Sequence, residues 1–160
     1  MGLVIGEKDL LRERRAAAEK GLVFVFTNGC FDLLHAGHLH VLRAAKEAGD
    51  LLTVGLNTDA SVRKLKGKGR PLMGEGERAE LLAALDPVDY VVLFSEETPR
   101  RLIEALEPDV LVKGGDYQAD RIVGADVVRG RGGQVLVVPL REGLSTSSLI
   151  ERIVRAFGGE

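Results

Sequence analysis

The sequence predicts a doubly wound α/β domain, a parallel sheet covered by helices on both faces. Short apolar runs of strand length alternate with helix-length stretches throughout the 160 residues, the pattern of repeated strand–helix–strand units. The runs are continuously apolar, as expected of strands buried on both faces. Glycine is abundant, 20 residues without collagen-like periodicity, against an average of roughly 7%, so glycines shape loops between the elements.

In chain order, Glu7 to Lys20 is charged and alanine-rich with apolar Leu10, Leu11 and Ala17. This suits a surface helix with one modest buried stripe, expected as an N-terminal helical extension over residues 1–20 ahead of a main domain over 21–160. After Gly21, Leu22 to Phe26 reads as the first strand. A helix over Ala36 to Ala48 ends at Gly49, and Leu51 to Leu56 is the second strand. A helix around Glu77 to Leu85 stops before Pro87, and Tyr90 to Phe94 is a strand. Thr98 and Pro99 offer an N-cap and a first-turn proline for a helix running to about Leu106. Val110 to Val112 is a strand, Gly130 to Gly133 a turn and Val135 to Val138 a strand. Ser148 with Glu151 makes a capping-box pattern for the last helix. No repeat, linker or low-complexity segment intervenes.

Composition excludes several classes. With 45% hydrophobic residues, a chain of this size buries roughly 70% of its unfolded surface and needs neither metal nor disulfide to fold. The 22 basic and 24 acidic residues leave a net charge of −2, which gives no global field for nucleic acid or anionic membrane. Two Tyr, five Phe and no Trp are few for a binder that stacks successive bases. One cysteine, Cys30, makes neither an internal disulfide nor a zinc site by itself. Apolar runs of about five residues fall short of the roughly 20 that a membrane helix needs. The start of the sequence lacks a basic leader before an apolar block, and Gly6 stands where a myristoylation signal needs Ser or Thr. The expectation is a cytoplasmic protein with small-molecule partners, no nucleic acid and no membrane.

Ligands of a doubly wound fold bind outside the carboxyl ends of the strands. That directs attention to four segments: Thr27 to His38, Asn57 to Arg70, Lys113 to Asp116 and Leu140 to Ser148. The first carries two of the three histidines at the expected start of a helix, where unpaired backbone N–H groups and the helix dipole favour phosphate. At a spacing of three, His35 and His38 share a helical face and can reach one oxygen-rich centre. Gly37, lacking a Cβ, would let a flat base or ribose approach the backbone. Other readings compete. The pair also reads as a solvated capping feature. With His40 it suggests zinc, but no fourth histidine exists and His40 is off the shared face, so no metal site is expected. A dinucleotide site would require Gly-x-Gly-x-x-Gly after the strand, and that motif is absent.

The run Gly29-Cys30-Phe31-Asp32-Leu33-Leu34-His35-Ala36-Gly37-His38 resembles the His-x-Gly-His signature of the nucleotidyltransferase superfamily, whose fold is Rossmann-like. Within it, TNGCFDLLHAGH, NTDASVRKLKGKGRP, VKGGDY and EGLSTSSLI make Val25 to Ile153 similar to the adenylyltransferases that form ADP-heptose from a heptose 1-phosphate. The resemblance implies His35, His38, Lys66 and Arg78 as catalytic, with Lys66 and Arg78 neutralising the leaving pyrophosphate. It implies nucleotide contacts from Thr27, Asn28, Gly29, Cys30, Phe31 and Gly37, and acceptor contact from Asp32. The run Arg63, Lys64, Lys66, Lys68 and Arg70 places five positive charges in eight residues, either a solvated surface or a mobile clamp for β- and γ-phosphates. Gly115 and Asp116 suit close backbone contact and hydrogen bonding to a nucleotide, or an ordinary turn. Ser145, Thr146, Ser147 and Ser148 supply more hydroxyls than an N-cap needs, a second phosphate site.

The implied reaction is in-line attack of an acceptor phosphate oxygen on the α-phosphorus of ATP, with the histidines as donors rather than bases. Mg²⁺ is expected with the nucleotide phosphates. Relatives imply a homodimer. They are often fused to a sugar kinase, which these 160 residues do not contain, so the kinase step is expected from another polypeptide. The alternative enzyme is a CTP-dependent cytidylyltransferase for glycerol 3-phosphate or a similar alcohol phosphate. The ending of that family resembles Arg-Thr-Glu-Gly-Ile-Ser-Thr, whereas this chain has Leu140 at the aligned arginine and Arg141 one place later. A third reading is a non-catalytic nucleotide-binding module.

Overall fold

Side chains alternate across each strand, and the two sets find different partners. In a computed structural model that describes residues 1–140 and 143–158, β2 (Phe24–Gly29) points Phe24 and Phe26 to one face and Val25 to the other. β3 (Leu51–Asn57) sends Leu52, Val54 and Leu56 to the face of Val25. α2 (Ala36–Glu47) and α4 (Glu75–Ala84) cover that face with Val41, Leu42, Ala45, Ala79 and Leu82. On the opposite face Phe24 and Phe26 pack with Leu102, Ile103 and Leu106 of α5 (Arg100–Leu106) and Val128 of α6 (Ala125–Gly130). Each fully buried Leu or Ile is worth about 1.5–3 kcal/mol of transfer free energy, so the two layers together carry the fold.

Six parallel strands stand in the order β1-β4-β3-β2-β5-β6, with β1 Leu3–Val4, β4 Tyr90–Phe94, β5 Val110–Gly114 and β6 Gln134–Val138. From β2 the chain builds outward through β3 to β4, then returns to β5 on the other side. The strand order therefore reverses between β2 and β5, and the loops above them diverge to leave a crevice.

Several expected boundaries shift, each for a local reason. The first strand runs to Gly29 because Thr27, Asn28 and Gly29 pair with Val54, Gly55 and Leu56. The residues expected as an N-terminal extension pack into the common core. Leu3 and Val4 pair with Tyr90 and Val91 as a sixth strand, and α1 (Glu7–Glu19) buries Leu10 and Ala17 in the α5 face. The basic segment is not all loop: Thr58 accepts a bond from Ser61 N–H and starts α3 (Asp59–Lys66). The helix before Pro87 begins at Glu75, and Pro99 rather than Thr98 is the N-cap of α5. The final helix, α7 (Thr146–Phe157), starts earlier than Ser148 because Ser145 is the N-cap, accepting from Ser148 N–H at 3.0 Å. Arg141 lies outside the described residues, as do Glu142, Gly159 and Glu160.

Candidate active site

A cavity of about 620 Å³ opens above the crevice between β2 and β5. Its walls come from all four segments singled out in the sequence: Thr27 to Asp32 and His35, Lys66 and Arg70, Lys113, and Leu140 with Leu144 to Ser147. Most expected site residues thus converge on one space.

His35 occupies the N-cap of α2 in extended backbone, and its Nδ1 accepts the Gly37 N–H at 3.1 Å. That bond leaves the proton of the neutral ring on Nε2, a donor. The His38 ring stacks on His35 at 3.9 Å between centroids and tilts against Phe31 at 5.0 Å. Burial and the neighbouring His35 push His38 down to about 4, and burial lowers His35 as well. Both rings are therefore neutral near pH 7 and offer N–H donors without a formal charge. The buried His38 Nδ1 has no hydrogen-bond partner among the described residues.

Gly37 lines the cavity and has a packing role as well. A Cβ there would lie 2.9 Å from the His35 ring and 3.0 Å from the Leu144 carbonyl oxygen. The missing side chain lets the N-termini of α2 and α7 close on one another, so two positive helix ends face the same cavity. Phe31 adds backbone strain. Its φ of 46° is in the left-handed region, which costs a bulky residue about 1–3 kcal/mol and is held only where packing over-determines it.

Asp32, expected at the acceptor, is 1% exposed and already committed. It pairs with Arg70 and accepts the backbone N–H groups of Leu72 and Met73 at 2.7 and 3.0 Å. Burial alone would raise its carboxyl; the Met73 N–H, the Arg70 guanidinium and the Leu72 N–H outweigh burial and hold it below the usual carboxylate range. Its role here is to fasten the end of the basic segment to the loop after β2.

Arg78 is the other departure. It is fully buried and donates to the carbonyls of Met73 and Cys30 and to Asp59 Oδ1, the last at 2.7 Å. It lies outside the cavity wall and is a tie between three segments. Lys66 is exposed at the end of α3 and reaches the cavity. Burial pushes the Cys30 thiol up despite the charges of Lys66, Arg78, Lys113 and Arg70, so it stays protonated and weakly nucleophilic near neutrality. Gly115 and Asp116 follow β5 but are not part of the wall, whereas Tyr117 is. Among the described residues no cluster of His, Cys, Asp or Glu could hold a metal ion, and no helix is long and apolar enough to cross a membrane.

Asn57 and Lys113 line the cavity although the sequence reading gave neither a role of its own. The available signal was position. Each lies at or beyond the carboxyl end of a strand on either side of the reversal, and Lys113 is a charged residue within a strand that is otherwise apolar up to its glycine.

Comparison with known proteins follows the same contour. A family model described as cytidylyltransferase-like matches residues 26–152. The bifunctional protein HldE of Geobacter metallireducens is 58% identical over 91% of this chain, and that of Trichlorobacter lovleyi 54% identical over 98%. The chain spans only 30% and 32% of the length of those two relatives. A lipopolysaccharide core biosynthesis protein from Thermoplasma volcanium superposes with a TM-score of 0.60 at 30% identity, covering 76% of this chain and 98% of the other. The pantoate-β-alanine ligase of Francisella tularensis shares the fold, with a TM-score of 0.67 at 16% identity over 94% of this chain and 73% of its own. The match across the strands and loops that build the cavity means that this chain belongs to the cytidylyltransferase-like family.

Proposed function

We propose that the chain transfers AMP from ATP to a sugar 1-phosphate, a heptose 1-phosphate in the first instance, and releases pyrophosphate. The observation that carries this is the stacked, neutral His35 and His38 pair at the mouth of α2, facing a cavity that the mouth of α7 also enters. The choice of ATP and heptose rests on the resemblance to ADP-heptose-forming enzymes. High identity to the HldE proteins and the lipopolysaccharide relative support it.

In this reading the α-phosphate lies against the α2 N-terminus, where backbone N–H groups and the Nε2 donors of the histidines meet the charge that grows on its oxygens. Ser145, Thr146 and Ser147 at the α7 mouth take the β- and γ-phosphates. Lys66, on the rim, adds positive charge for the departing pyrophosphate. The nucleophile is an ionised phosphate oxygen, so no protein base is required, and catalysis is positioning plus charge stabilisation. Asn28, Gly29, Cys30 and Phe31 border the same space and hold the nucleotide from the β2 side.

Mg²⁺ would arrive with the triphosphate, since it needs no carboxylate cage of its own. When bound it would neutralise charge on the phosphates. A cytoplasmic setting and a homodimer belong to the same reading. The second is supported by exposed Val154 and Phe157 on α7.

Pyrophosphate release with ATP or CTP across a panel of sugar and alcohol phosphates tests the proposal. The expected result is release with ATP and heptose 1-phosphate. Preference for CTP with glycerol 3-phosphate transfers the assignment to the cytidylyltransferase, and nucleotide binding without release with any acceptor reduces the chain to a binding module.

A further inference from the structure

Lys113 is a half-buried cation of the cavity wall that no carboxylate neutralises among the described residues. It occupies β5 one residue past Val112, which pairs with Thr27 of β2, so it stands level with Asn28 where the strand order reverses. Its Nζ lies 3.3 Å from Asn28 Oδ1 and 3.4 Å from the Asn28 carbonyl oxygen, both neutral acceptors at long range. It also lies 5.9 Å from the centre of the Tyr117 ring. None of the ion pairs among the described residues includes it. The contrast with its neighbours is direct: Arg70 has Asp32, and Arg78 has Asp59 and two carbonyls. A shielded cation without a counter-ion is costly to the folded chain and is relieved by an incoming anion. Burial lowers its pKa, and nearby Lys66 pushes the same way while Cys30 opposes.

The cavity wall includes the helix mouths, where His35, Gly37, Leu144 and Ser145 meet, and the ends of β2 and β5, where Lys113 stands beside Asn28. In the reading above the triphosphate lies against the helix mouths, because both helix N-termini face the cavity there. A second anion must approach the α-phosphorus from a different direction, since entering and leaving oxygens of an in-line displacement lie on opposite sides.

We propose that Lys113 is the receptor for the phosphate monoester of the acceptor, holding it on the sheet floor for attack. The inference rests on the transfer reaction proposed above and adds the subsite that captures the second substrate. A charge-assisted hydrogen bond from Lys113 replaces the weak contacts to Asn28 when the acceptor binds.

The test is steady-state kinetics with both substrates varied, on full-length wild type, Lys113→Met and Lys113→Arg, with folding of each checked by thermal melting. Inorganic phosphate is the competing probe. Lys113→Met is expected to raise the KM for the sugar phosphate by about 10- to 100-fold and leave the KM for ATP within about twofold. Lys113→Arg should recover part of the loss. Phosphate should compete with the sugar phosphate in wild type and lose that competition in Lys113→Met. The inference is overturned if the KM for ATP rises as much as that for the acceptor, if phosphate competes with ATP instead, or if neither KM moves in a folded variant. Failure of the parent reading looks different: wild type itself then releases no pyrophosphate with any sugar phosphate.

Discussion

The two ends of the same parallel sheet follow opposite electrostatic rules. At the amino end, aspartates are spent on structure. Asp50 accepts the Val23 N–H at 2.7 Å, Asp89 accepts the Leu52 N–H at 2.7 Å and the Lys46 ammonium at 2.6 Å, and Asp109 accepts the Phe24 N–H at 2.8 Å and the Arg14 guanidinium at 3.0 Å. These bonds satisfy strand N–H groups and pin α1 and α2 to the strand starts. At the carboxyl end, polar groups are left over. Among the described residues His38 Nδ1 is buried without a hydrogen-bond partner and Lys113 pairs with no carboxylate, and Lys66 extends into the cavity rim. Lysines left without a carboxylate in a cavity wall are completed by an anionic ligand.

The sharpest way to break the comparison is at the carboxyl end. His38→Ala should lower turnover by about 10² to 10³, by analogy with the loss of one oxyanion donor, with an unchanged far-ultraviolet spectrum. Turnover near wild type in a folded variant would remove the histidine pair from the mechanism. The opposite result is expected at the amino end. Asp109→Ala strands the Phe24 N–H and the Arg14 guanidinium and should cost about 1–3 kcal/mol of stability, seen in denaturant unfolding, while activity per folded molecule is retained. A parallel loss of turnover at a temperature where the variant is fully folded would erase the distinction between the ends.

A smaller effect sharpens it through pH. Since His38 is held near 4 rather than its usual 6.5, the unfolded chain takes up a proton that the native chain refuses. The stability contributed by keeping this ring neutral is complete above about pH 6.5 and is lost as the pH falls toward 4. The melting temperature of wild type should therefore fall over that window more steeply than that of His38→Gln. Equal slopes would mean that the ring is not shielded.

Much of this division was legible before any coordinates. The apolar runs placed the strands, and His35, His38, Lys66 and Ser145 to Ser147 do reach one cavity because a parallel sheet gathers its carboxyl-end loops. What escaped depends on neighbours distant in sequence. Leu3 and Val4 become a strand only because Tyr90 and Val91 lie beside them, and two residues carry no readable period. α3 was concealed by its own charge: Arg63, Lys64 and Lys66 dominate a helix that buries only Ser61 and Val62. Ser148 and Glu151 matched a capping pattern, yet Ser145 won because its hydroxyl meets the Ser148 N–H one turn earlier. The resemblance implied a catalytic Arg78 and an acceptor-binding Asp32. Their commitment to Asp59 and Arg70 is a property of packing that spacing does not encode.

Arg78 has a practical consequence for anyone mapping this protein by mutagenesis. Its guanidinium knots together the Cys30 turn, the Met73 carbonyl and the start of α3, so its replacement loosens the ground on which the reactive groups stand. A survey that scores product alone will rank it beside the histidines, as though it met the substrate. Only pairing each rate with a melting curve separates the hand that holds the reactants from the wrist that steadies it.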